Sequence, residues 1–327
     1  METETSDQII SVPVRIRRTS RSSDSNISVI MVSTTSKASD LKPNAAVLTA
    51  GMLWGTSCLF VKSMSSLGMT SGMQAVYKVL ISGIFYVVLL LLTDRSKLKI
   101  RLRDAWIFAV SGLFCMAGFT WLHYYTLIHG QASVSIALIY TSPAFVVVAS
   151  AILFKEKITG RKLTALCLTV AGCALTAGAF SEQYRTPPFI AALCILAGFL
   201  YGMYSICAKF ATRTYHPLTF TTYTFLFAIL FTIPFGDVPG SLALMKAHPV
   251  LILLCLGKNL VCTVTPYFLY TWGISRIEAG KAAIFAAADP LMSCVLGILV
   301  LQEPANADKI AGTALILAAV ILVNSKK

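Results

Sequence analysis

The sequence predicts an all-α polytopic membrane protein, with ten transmembrane helices arranged as two inverted five-helix repeats. Composition, a duplicated pair of motifs and the distribution of basic residues predict this fold class. Of the 327 residues, 56% are hydrophobic and 13% are charged, and the mean hydropathy is +0.75. In soluble domains about a quarter of the residues are charged. A chain this apolar belongs in a membrane, with the lipid bilayer as its first expected partner.

Two motifs occur twice in the chain. One is an Ala-Gly pair, then Trp-Gly or Tyr-Gly, then a lysine, over residues 50–62 and again over 197–209. The other is a proline inside an apolar segment, followed thirteen residues later by a glutamate. Its two copies are Pro143 with Glu156, and Pro290 with Glu303. Both motifs repeat after 147 residues, and an unchanged offset indicates an internal duplication.

The chain divides into a tail and two repeats. Residues 1–43 contain fifteen Ser or Thr and no periodic apolar pattern, so we expect a disordered cytoplasmic tail, with Met31 as an alternative start. The first repeat is predicted over 44–180 and the second over 188–324. Each repeat contains five apolar segments that are long enough to span a bilayer as helices. In chain order the ten segments are 44–63, 70–93, 105–127, 132–154, 162–180, 188–210, 217–236, 249–273, 280–301 and 308–324.

Basic residues predict the orientation of these segments. If the N-terminus is cytoplasmic, twenty-one Lys and Arg lie in cytoplasmic segments and four lie in external ones. Cytoplasmic loops are enriched in basic residues, so we expect both termini in the cytoplasm and the chain in the plasma membrane. Five helices is an odd number, so the second repeat enters the membrane from the opposite side. Because the positive charge is clustered between apolar segments, the net charge of +13 does not indicate a nucleic-acid partner.

Pro143 and Pro290 lie near the middle of the fourth and ninth segments. A proline there removes one N–H and clashes with the carbonyl four residues back, which belongs to Ile139 or Ala286. In hydrocarbon such a carbonyl must find a polar partner or face a water-filled cavity. One interpretation is a helix break that gates a substrate path; the other is a tolerated kink between packed helices. For a symmetric pair at mid-membrane, the two interpretations carry equal weight.

These features together resemble the EamA branch of the drug/metabolite transporter superfamily. The resemblance rests on the inverted halves, on the Trp-Gly and Tyr-Gly signatures, and on the Ser-Pro and Asp-Pro signatures with their glutamates. It covers about residues 44–324. It implies a secondary carrier, often an exporter of amino acids or related metabolites, that does not hydrolyse ATP. It gives no substrate for this chain and no role for Glu156 or Glu303.

Three charged residues lie deep in the predicted helices, where a charge is costly and therefore a functional candidate. Lys78, Lys258 and Asp289 lie about 12 to 13 Å from an end of their segments at 1.5 Å per residue. All three can therefore approach one central layer, which two lysines and one aspartate make suitable for a substrate carboxylate. Lys78 has the alternative of snorkelling to the outer surface. Asp289 has two roles open to it, an ion bridge to a lysine or a proton-coupled gate.

Four aromatic residues are further candidates for a substrate site, because their rings stack on apolar groups and their edges are polar. They are Trp54, Tyr77, Tyr140 and Tyr201, and the alternative for each is a packing or interfacial role. His123 is expected to be an interfacial or gate residue. It is not expected to bind a metal, because no second His or Cys lies three or four residues away.

The remaining polar motifs indicate structure more than chemistry. Because a carboxylate opposes the dipole at a helix C-terminus, Glu156 and Glu303 are expected to face the start of the next helix or a basic neighbour. For Glu156 the candidate neighbours are Lys155, Lys157 and Arg161. The nine cysteines include no C-x-x-C pair, so we expect no disulfide framework, no metal and no cofactor.

The leading hypothesis is a secondary carrier that exports a small organic metabolite, an amino acid or a related compound, by alternating access. Ten helices can enclose a site within one chain, so a monomer is the expected functional unit. An alternative is an intramembrane enzyme acting on a lipid-linked substrate, which needs a cluster of acids, bases or metal ligands. A third possibility is a membrane anchor or sensor that works through its tail. Removal of residues 1–40 distinguishes this possibility from a carrier. A carrier keeps transporting without the tail, whereas a tail-dependent protein loses its activity.

Overall fold

The computed structural model describes residues 41–129, 138–176, 187–300, 302 and 307–324, and every regular element in these ranges is helical. The first helix begins at Leu41, slightly before the predicted start. Most of the predicted tail, Glu303 and parts of the fourth and fifth predicted segments lie outside the described residues. In chain order the α-helices are α1 Leu41–Gly55, α2 Ser57–Ser66, α3 Ser71–Thr93, α4 Ala105–Val110, α5 Phe119–His129, α6 Ser142–Phe154, α7 Gly160–Thr176, α8 Pro188–Ala211, α9 Pro217–Thr232, α10 Val238–Ala247, α11 Val250–Asn259, α12 Thr265–Ile274, α13 Ala279–Ala286, α14 Ala288–Leu299 and α15 Ala307–Asn324.

Within the described ranges, seven helical stretches are long and apolar enough to cross a bilayer. Two shorter helices, α6 and α9, are also apolar. The prediction of ten spans stays a prediction. Leu92, Ile152, Leu253 and Leu299 each expose more than 70% of their surface, as expected for side chains that face lipid. The seven stretches are Lys42–Ser66, Ser71–Thr93, Leu102–His123, Pro188–Ala211, Val250–Ile274, Ala279–Leu299 and Ala307–Asn324.

Helical irregularities occur at matching positions of the two repeats. A π-helical segment, Ser111–Gly118, joins α4 to α5, and a second one, Leu260–Val264, joins α11 to α12. Turns also interrupt the chain two to three residues before the two prolines, at residues 140–141 and at Ala287. The fourth and ninth segments are therefore interrupted near the prolines, and a role for these interruptions in gating a substrate path stays a prediction. Local π-helix is frequent at functional sites. The two π-helical segments therefore indicate that a functional site lies near them.

Glycines of the first duplicated motif contact the interrupted helices of the other repeat. A Cβ at Gly51 would lie 3.0 Å from the carbonyl oxygen of Ala286, and a Cβ at Gly198 would lie 2.8 Å from that of Ile139. These two carbonyls are the ones whose helical partner is a proline. Only glycine allows so close an approach. Each repeat contributes one glycine to a contact with the other repeat, so the two contacts together join the repeats.

One helix was not predicted, α10, between the seventh and eighth segments. The carboxylate of Asp237 accepts a 2.9 Å hydrogen bond from the Gly240 amide and caps its N-terminus. The helix covers a buried cluster that includes Met64, Met69, Met73, Met245 and Cys255. We call the side of the protein that carries α10 the outer side.

The basic loops lie on the opposite side, which we call the inner side. The loop at 95–104 is bonded to the region where α9 begins, because the Thr219 hydroxyl donates to the Lys97 carbonyl at 2.9 Å. The Tyr215 hydroxyl donates to the carboxylate of Asp104 in the same loop. Burial, together with this bond, raises the pKa of Tyr215. These contacts tie the inner ends of the two repeats together.

Candidate functional site

The two helix interruptions meet at the carboxylate of Asp289. Asp289 lies in the first turn of α14, and its Oδ2 accepts a 2.6 Å hydrogen bond from the hydroxyl of Tyr140, which lies in the turn before α6. The Ser293 hydroxyl lies 3.4 Å from Asp289 Oδ1 and donates to the Gly55 carbonyl at 3.1 Å. Tyr140 belongs to the first repeat and Asp289 to the second. Their bond therefore links the repeats where both helices are interrupted.

Lys78 approaches this carboxylate without forming an ion pair with it. The two side chains interact electrostatically, but among the described residues Asp289 has no ion-pair partner within 4.0 Å. The Lys78 ammonium lies 5.5 Å from the centroid of the Tyr267 ring, a distance at which a cation is attracted to an aromatic face. Lys78 therefore points into the protein, not outward to the surface. Asp289 therefore has hydroxyl partners in place of an ion bridge to a lysine, and its other role, a proton-coupled gate, stays a prediction.

Lys258 occupies a separate, buried polar network between α3 and α11. It is 6% exposed, and its ammonium donates a 3.1 Å hydrogen bond to the side-chain oxygen of Gln74. Gln74 in turn donates to the Ser65 hydroxyl at 3.0 Å and to the Met69 carbonyl at 3.2 Å. The charge of Lys78 acts on Lys258, so the two ammonium groups repel each other electrostatically. Lys258 thus adds positive potential to the central layer, while Gln74, its hydrogen-bond partner, is a neutral side chain.

An aromatic wall stands beside these charges. The ring centroid of Trp54 lies 5.2 Å from that of Tyr267 and 5.3 Å from that of Tyr270. The Trp54 indole N–H is buried and has no hydrogen-bond partner among the described residues. Tyr201 packs against Phe119 at 5.0 Å. A buried donor without a partner is uncommon in proteins, so this N–H is available to a ligand.

Two predicted residues take other positions. Tyr77 lies under α10, where its hydroxyl accepts a 3.1 Å hydrogen bond from Ser241, and it packs on the methionine cluster, not in the central layer. His123 stacks on Phe119 with a centroid distance of 5.5 Å. Because Phe119 also contacts Tyr201, His123 belongs to the outer rim of the aromatic wall. Pro290 is buried in the first turn of α14.

The sequence did not single out the two tyrosines of α12 or Phe119 of α5. Tyr267 and Tyr270 contact Trp54 and are both buried. Residues three apart lie on one face of a helix, so the spacing of these tyrosines was a usable signal for a common surface. Phe119 carried no such signal, because single aromatic residues are ordinary in membrane helices.

Two cavities of very different size flank the central layer. One, of about 20 Å³, is large enough for a single water molecule and is lined by Trp54, Tyr201, Tyr267 and Tyr270, among others. The other has a volume of about 610 Å³ and lies on the outer side, between the residues before α3, the end of α5 and the end of α9. Ala75, which lines the large cavity, is one helical turn from Lys78.

The inner side of the central layer is closed by a stack of polar contacts. Ser205 and the Tyr270 hydroxyl are hydrogen-bonded at 2.6 Å. Closer to the inner surface, the Lys209 ammonium donates to the carbonyls of Ile274, at 2.9 Å, and Ile277. Both contacts join α8 to α12 or to the residues after it. The described residues thus leave room on the outer side of the layer and seal its inner side.

Glu156 also belongs to the inner side. Its carboxylate accepts hydrogen bonds from the first amides of α13, Ala279 N at 2.8 Å and Gly280 N at 3.3 Å. The predicted partner, the start of the next helix in the chain, is therefore wrong: Glu156 bonds to the start of α13, because the fold brings that helix beside the end of α6. Its basic neighbour is Lys162 at 3.7 Å, which was not among the candidates.

Comparisons with known proteins give one consistent result. The model of the EamA-like transporter family matches residues 41–178 and 188–325, two matches separated by the same 147 residues as the duplicated motifs. A protein of Archaeoglobus fulgidus called an uncharacterized transporter is 24% identical over 241 residues, or 68% of this chain and 83% of that protein. The uncharacterized transporter YetK of Bacillus subtilis is 23% identical over 252 residues, 76% of each chain. A crystal structure with 17% sequence identity has the same fold, with a TM-score of 0.69 over 86% of this chain and 96% of that one.

Proposed function

We propose, on the premise that the chain belongs to the EamA-like transporter family, that it is a secondary carrier of small organic metabolites. Family membership and the apolar helices make it an integral, multi-pass membrane transporter. Beyond this, we propose that it exports an amino acid or a related compound across the plasma membrane. We further propose that it works as a monomer, by alternating access, with both termini in the cytoplasm and without catalysing a reaction.

One observation carries the proposal. The Tyr140–Asp289 hydrogen bond joins the two repeats at the interruptions of their helices, next to the inward-pointing ammonium of Lys78. In carriers built from inverted repeats, substrate sites lie near mid-membrane at the repeat interface and are formed by discontinuous helices. The central layer of this chain has that arrangement.

The side chains of this layer match a solute with a carboxylate and an apolar part. The Lys78 ammonium supplies a charge-assisted hydrogen bond to the carboxylate, and the Trp54 N–H supplies a second donor. The rings of Trp54, Tyr201 and Tyr267 provide the surface for the apolar part. Asp289 accepts from the amino group of the solute when Tyr140 releases it. These roles need a site larger than the central cavity of about 20 Å³, so binding requires the repeats to move apart.

The two sides of the layer support alternating access. The outer side has a large cavity one helical turn from Lys78, and the inner side is sealed. A rocking movement of the repeats about the central layer would close the outer cavity and open the inner side. Lys258 remains buried beside Gln74 in this scheme and contributes through its charge.

Counterflow in proteoliposomes tests the proposed function. Purified protein would be reconstituted and offered labelled aromatic, aliphatic and charged amino acids and several nucleosides, with protein-free vesicles as the control. We expect saturable exchange of solutes that carry a carboxylate. Exchange of nucleosides alone would contradict the carboxylate site, and no exchange across the panel would contradict a carrier of this substrate class.

A further inference from the structure

The carboxylate of Glu156 connects the inner end of α6 to the inner start of α13. α6 ends at Phe154, and Lys155 adopts a left-handed conformation with φ +56°, which turns the chain so that Glu156 faces α13. Glu156 Oε1 then accepts from Ala279 N at 2.8 Å, and Oε2 accepts from Gly280 N at 3.3 Å. The first amides of a helix have no partner within the helix and attract negative charge. Glu156 therefore caps α13 from outside that helix.

This cap replaces the one that α13 does not make for itself. The residue before α13 is Glu278, whose side chain makes no capping hydrogen bond. Instead, Glu278 pairs with Lys162 at 2.8 Å, and Lys162 lies 3.7 Å from Glu156. The side chains of Glu156 and Lys162 are only 8% and 6% exposed. Glu156 is therefore a nearly buried carboxylate that is held by two backbone amides and a lysine.

The cap crosses from one repeat to the other and is linked to the central layer. Glu156 belongs to the first repeat and Ala279 to the second. The helical stretch Ala279–Leu299 leads from the cap to Asp289, a distance of about 15 Å at 1.5 Å per residue. In the proposed alternating access the two repeats separate on the inner side, and this movement parts α6 of the first repeat from α13 of the second. Opening must separate Glu156 from the two amides.

We infer that Glu156 is the latch of the inner gate, bound to the α13 amides when the inner side is closed and released when it opens. The inference rests on the proposed alternating access and adds a positioning residue outside the substrate site. Glu156 acts through α13, because the latched helix start fixes the helical stretch that carries Asp289. When the latch opens, water replaces the amides as partner of the carboxylate, and Lys162 keeps Glu278 as its counter-ion.

Accessibility of two reporter cysteines tests the latch without any substrate. Ser205→Cys reports on the inner seal, because Ser205 is buried and bonded to Tyr270. Ser71→Cys reports on the outer cavity, which Ser71 lines. Each reporter would be labelled with a maleimide in detergent-purified full-length protein. Its rate is taken as the increment over the same protein without the reporter, because nine native cysteines are present.

Glu156→Gln is the main variant, since an amide keeps the shape of the side chain but has only one acceptor oxygen and no charge. We expect labelling at Ser205→Cys to rise about tenfold and labelling at Ser71→Cys to fall, because the population shifts to the inner-open state. Glu278→Gln is the matched control, since it changes a carboxylate that touches Lys162 but not α13. Both reporters should stay near their original rates in this control.

Ala279→Pro tests the same contact from the other partner. Ala279 is the first residue of α13, where proline fits a helix, and the extended backbone of Glu278 tolerates a following proline. The change removes the donor of the 2.8 Å bond, so it should shift both reporters in the same direction as Glu156→Gln. It also keeps the inference testable if Glu156→Gln does not fold.

Two results would contradict the inference that Glu156 holds the inner gate closed. Unchanged labelling at Ser205→Cys in both variants would show that the cap does not hold the inner side closed. Faster labelling at both reporters would show a loosened fold and not a shifted gate. Both readings are independent of the transport assay. If labelling rises at Ser205→Cys and falls at Ser71→Cys, but the protein exchanges no solute, the latch is supported and the proposed function is contradicted.

Discussion

The three intramembrane charges have no charged counterparts in the other repeat. The residues 147 positions from Lys78, Lys258 and Asp289 are Phe225, Ser111 and Ser142. The glycines and prolines of the duplicated motifs, by contrast, occur in both repeats. The duplication therefore preserves the residues that build the helix contacts, whereas the charges are particular to one half. A substrate site formed at this interface is asymmetric although the fold around it is symmetric.

The two lysines are predicted to differ in their effect on transport. Lys78→Met removes the ammonium that points into the central layer, and we expect the rate at low substrate concentration to fall about 10- to 100-fold, the usual worth of a hydrogen bond to a charged group. Lys258→Met removes a buried charge whose hydrogen-bond partner among the described residues is the side-chain amide of Gln74, so the loss should be about threefold or less. Initial counterflow rates of the two variants, after a check of monodispersity, give the comparison. Greater loss in Lys258→Met would contradict the assignment.

At the scale of elements, the two duplicated motifs are partners in space. Gly55 of the first motif faces the second motif of the other repeat, where a Cβ would lie 2.5 Å from the Asp289 carbonyl oxygen. The equivalent glycine, Gly202, is less tightly packed, with 3.0 Å to Val146 Cγ2 and 3.1 Å to the Ser142 carbonyl oxygen. The glycines are required because backbone atoms of the neighbouring helix occupy the place of a side chain.

Substitution of these glycines by alanine is predicted to destabilise the protein, and the loss of stability should be greater where the added Cβ lies closer to its neighbours. Gly55→Ala should cost about 1 to 3 kcal/mol, the usual effect of overpacking, and Gly202→Ala should cost less. Gly160→Ala is the control, because a Cβ there meets nothing within 4 Å. Thermal unfolding in detergent measures the three variants. An equal change in Gly55→Ala and Gly160→Ala would show that the helix contact is looser than described.

The helix interruption at Pro290 is predicted to serve turnover at the expense of stability. Pro290→Ala restores an N–H that can bond to the Ala286 carbonyl and continue the helix through Ala287. We expect a higher melting temperature and a lower exchange rate, since a continuous helix holds Asp289 in one arrangement. Both quantities can be measured on one preparation. An unchanged exchange rate would show that the interruption is a passive feature of packing.

At the scale of the whole molecule, space on the outer side and a seal on the inner side define one conformation of the proposed cycle. The basic loops lie at the sealed side, which the charge distribution predicts to be cytoplasmic. Lys246 of α10 and Lys157 after α6 are both exposed and lie on opposite sides. Their positions allow the orientation of the entire chain to be tested.

The orientation predicts which of two cysteines a membrane-impermeant maleimide reaches in intact cells. Lys246→Cys should be labelled, because α10 is predicted to lie outside. Lys157→Cys should be labelled only after the cells are permeabilised. Labelling of both variants after permeabilisation confirms that each is expressed. The reverse pattern in intact cells would place the basic loops outside and contradict the proposed topology.

Sequence alone could predict the features that depend on local chemistry. The interruptions at Pro143 and Pro290 follow from a missing N–H. No residue pattern marks the π-helical segments, whereas α10 had a start signal in Asp237 and the proline after it, which the prediction did not use. The partners across the repeats depend on packing. Tyr77 and Lys78 are neighbours in α3, yet adjacent residues point about 100° apart on a helix, so only one of them faces the central layer. Sequence could not decide which.

The central claim is that Asp289, where the two interrupted helices meet, belongs to the substrate site. Counterflow by Asp289→Asn tests it most directly, with Asp308→Asn, a change at the exposed start of α15, as the matched control. The asparagine keeps the shape and the bond from Tyr140 but removes the charge. We predict that exchange falls by about tenfold or more in Asp289→Asn and is unchanged in Asp308→Asn. Wild-type exchange by folded Asp289→Asn protein would contradict the claim.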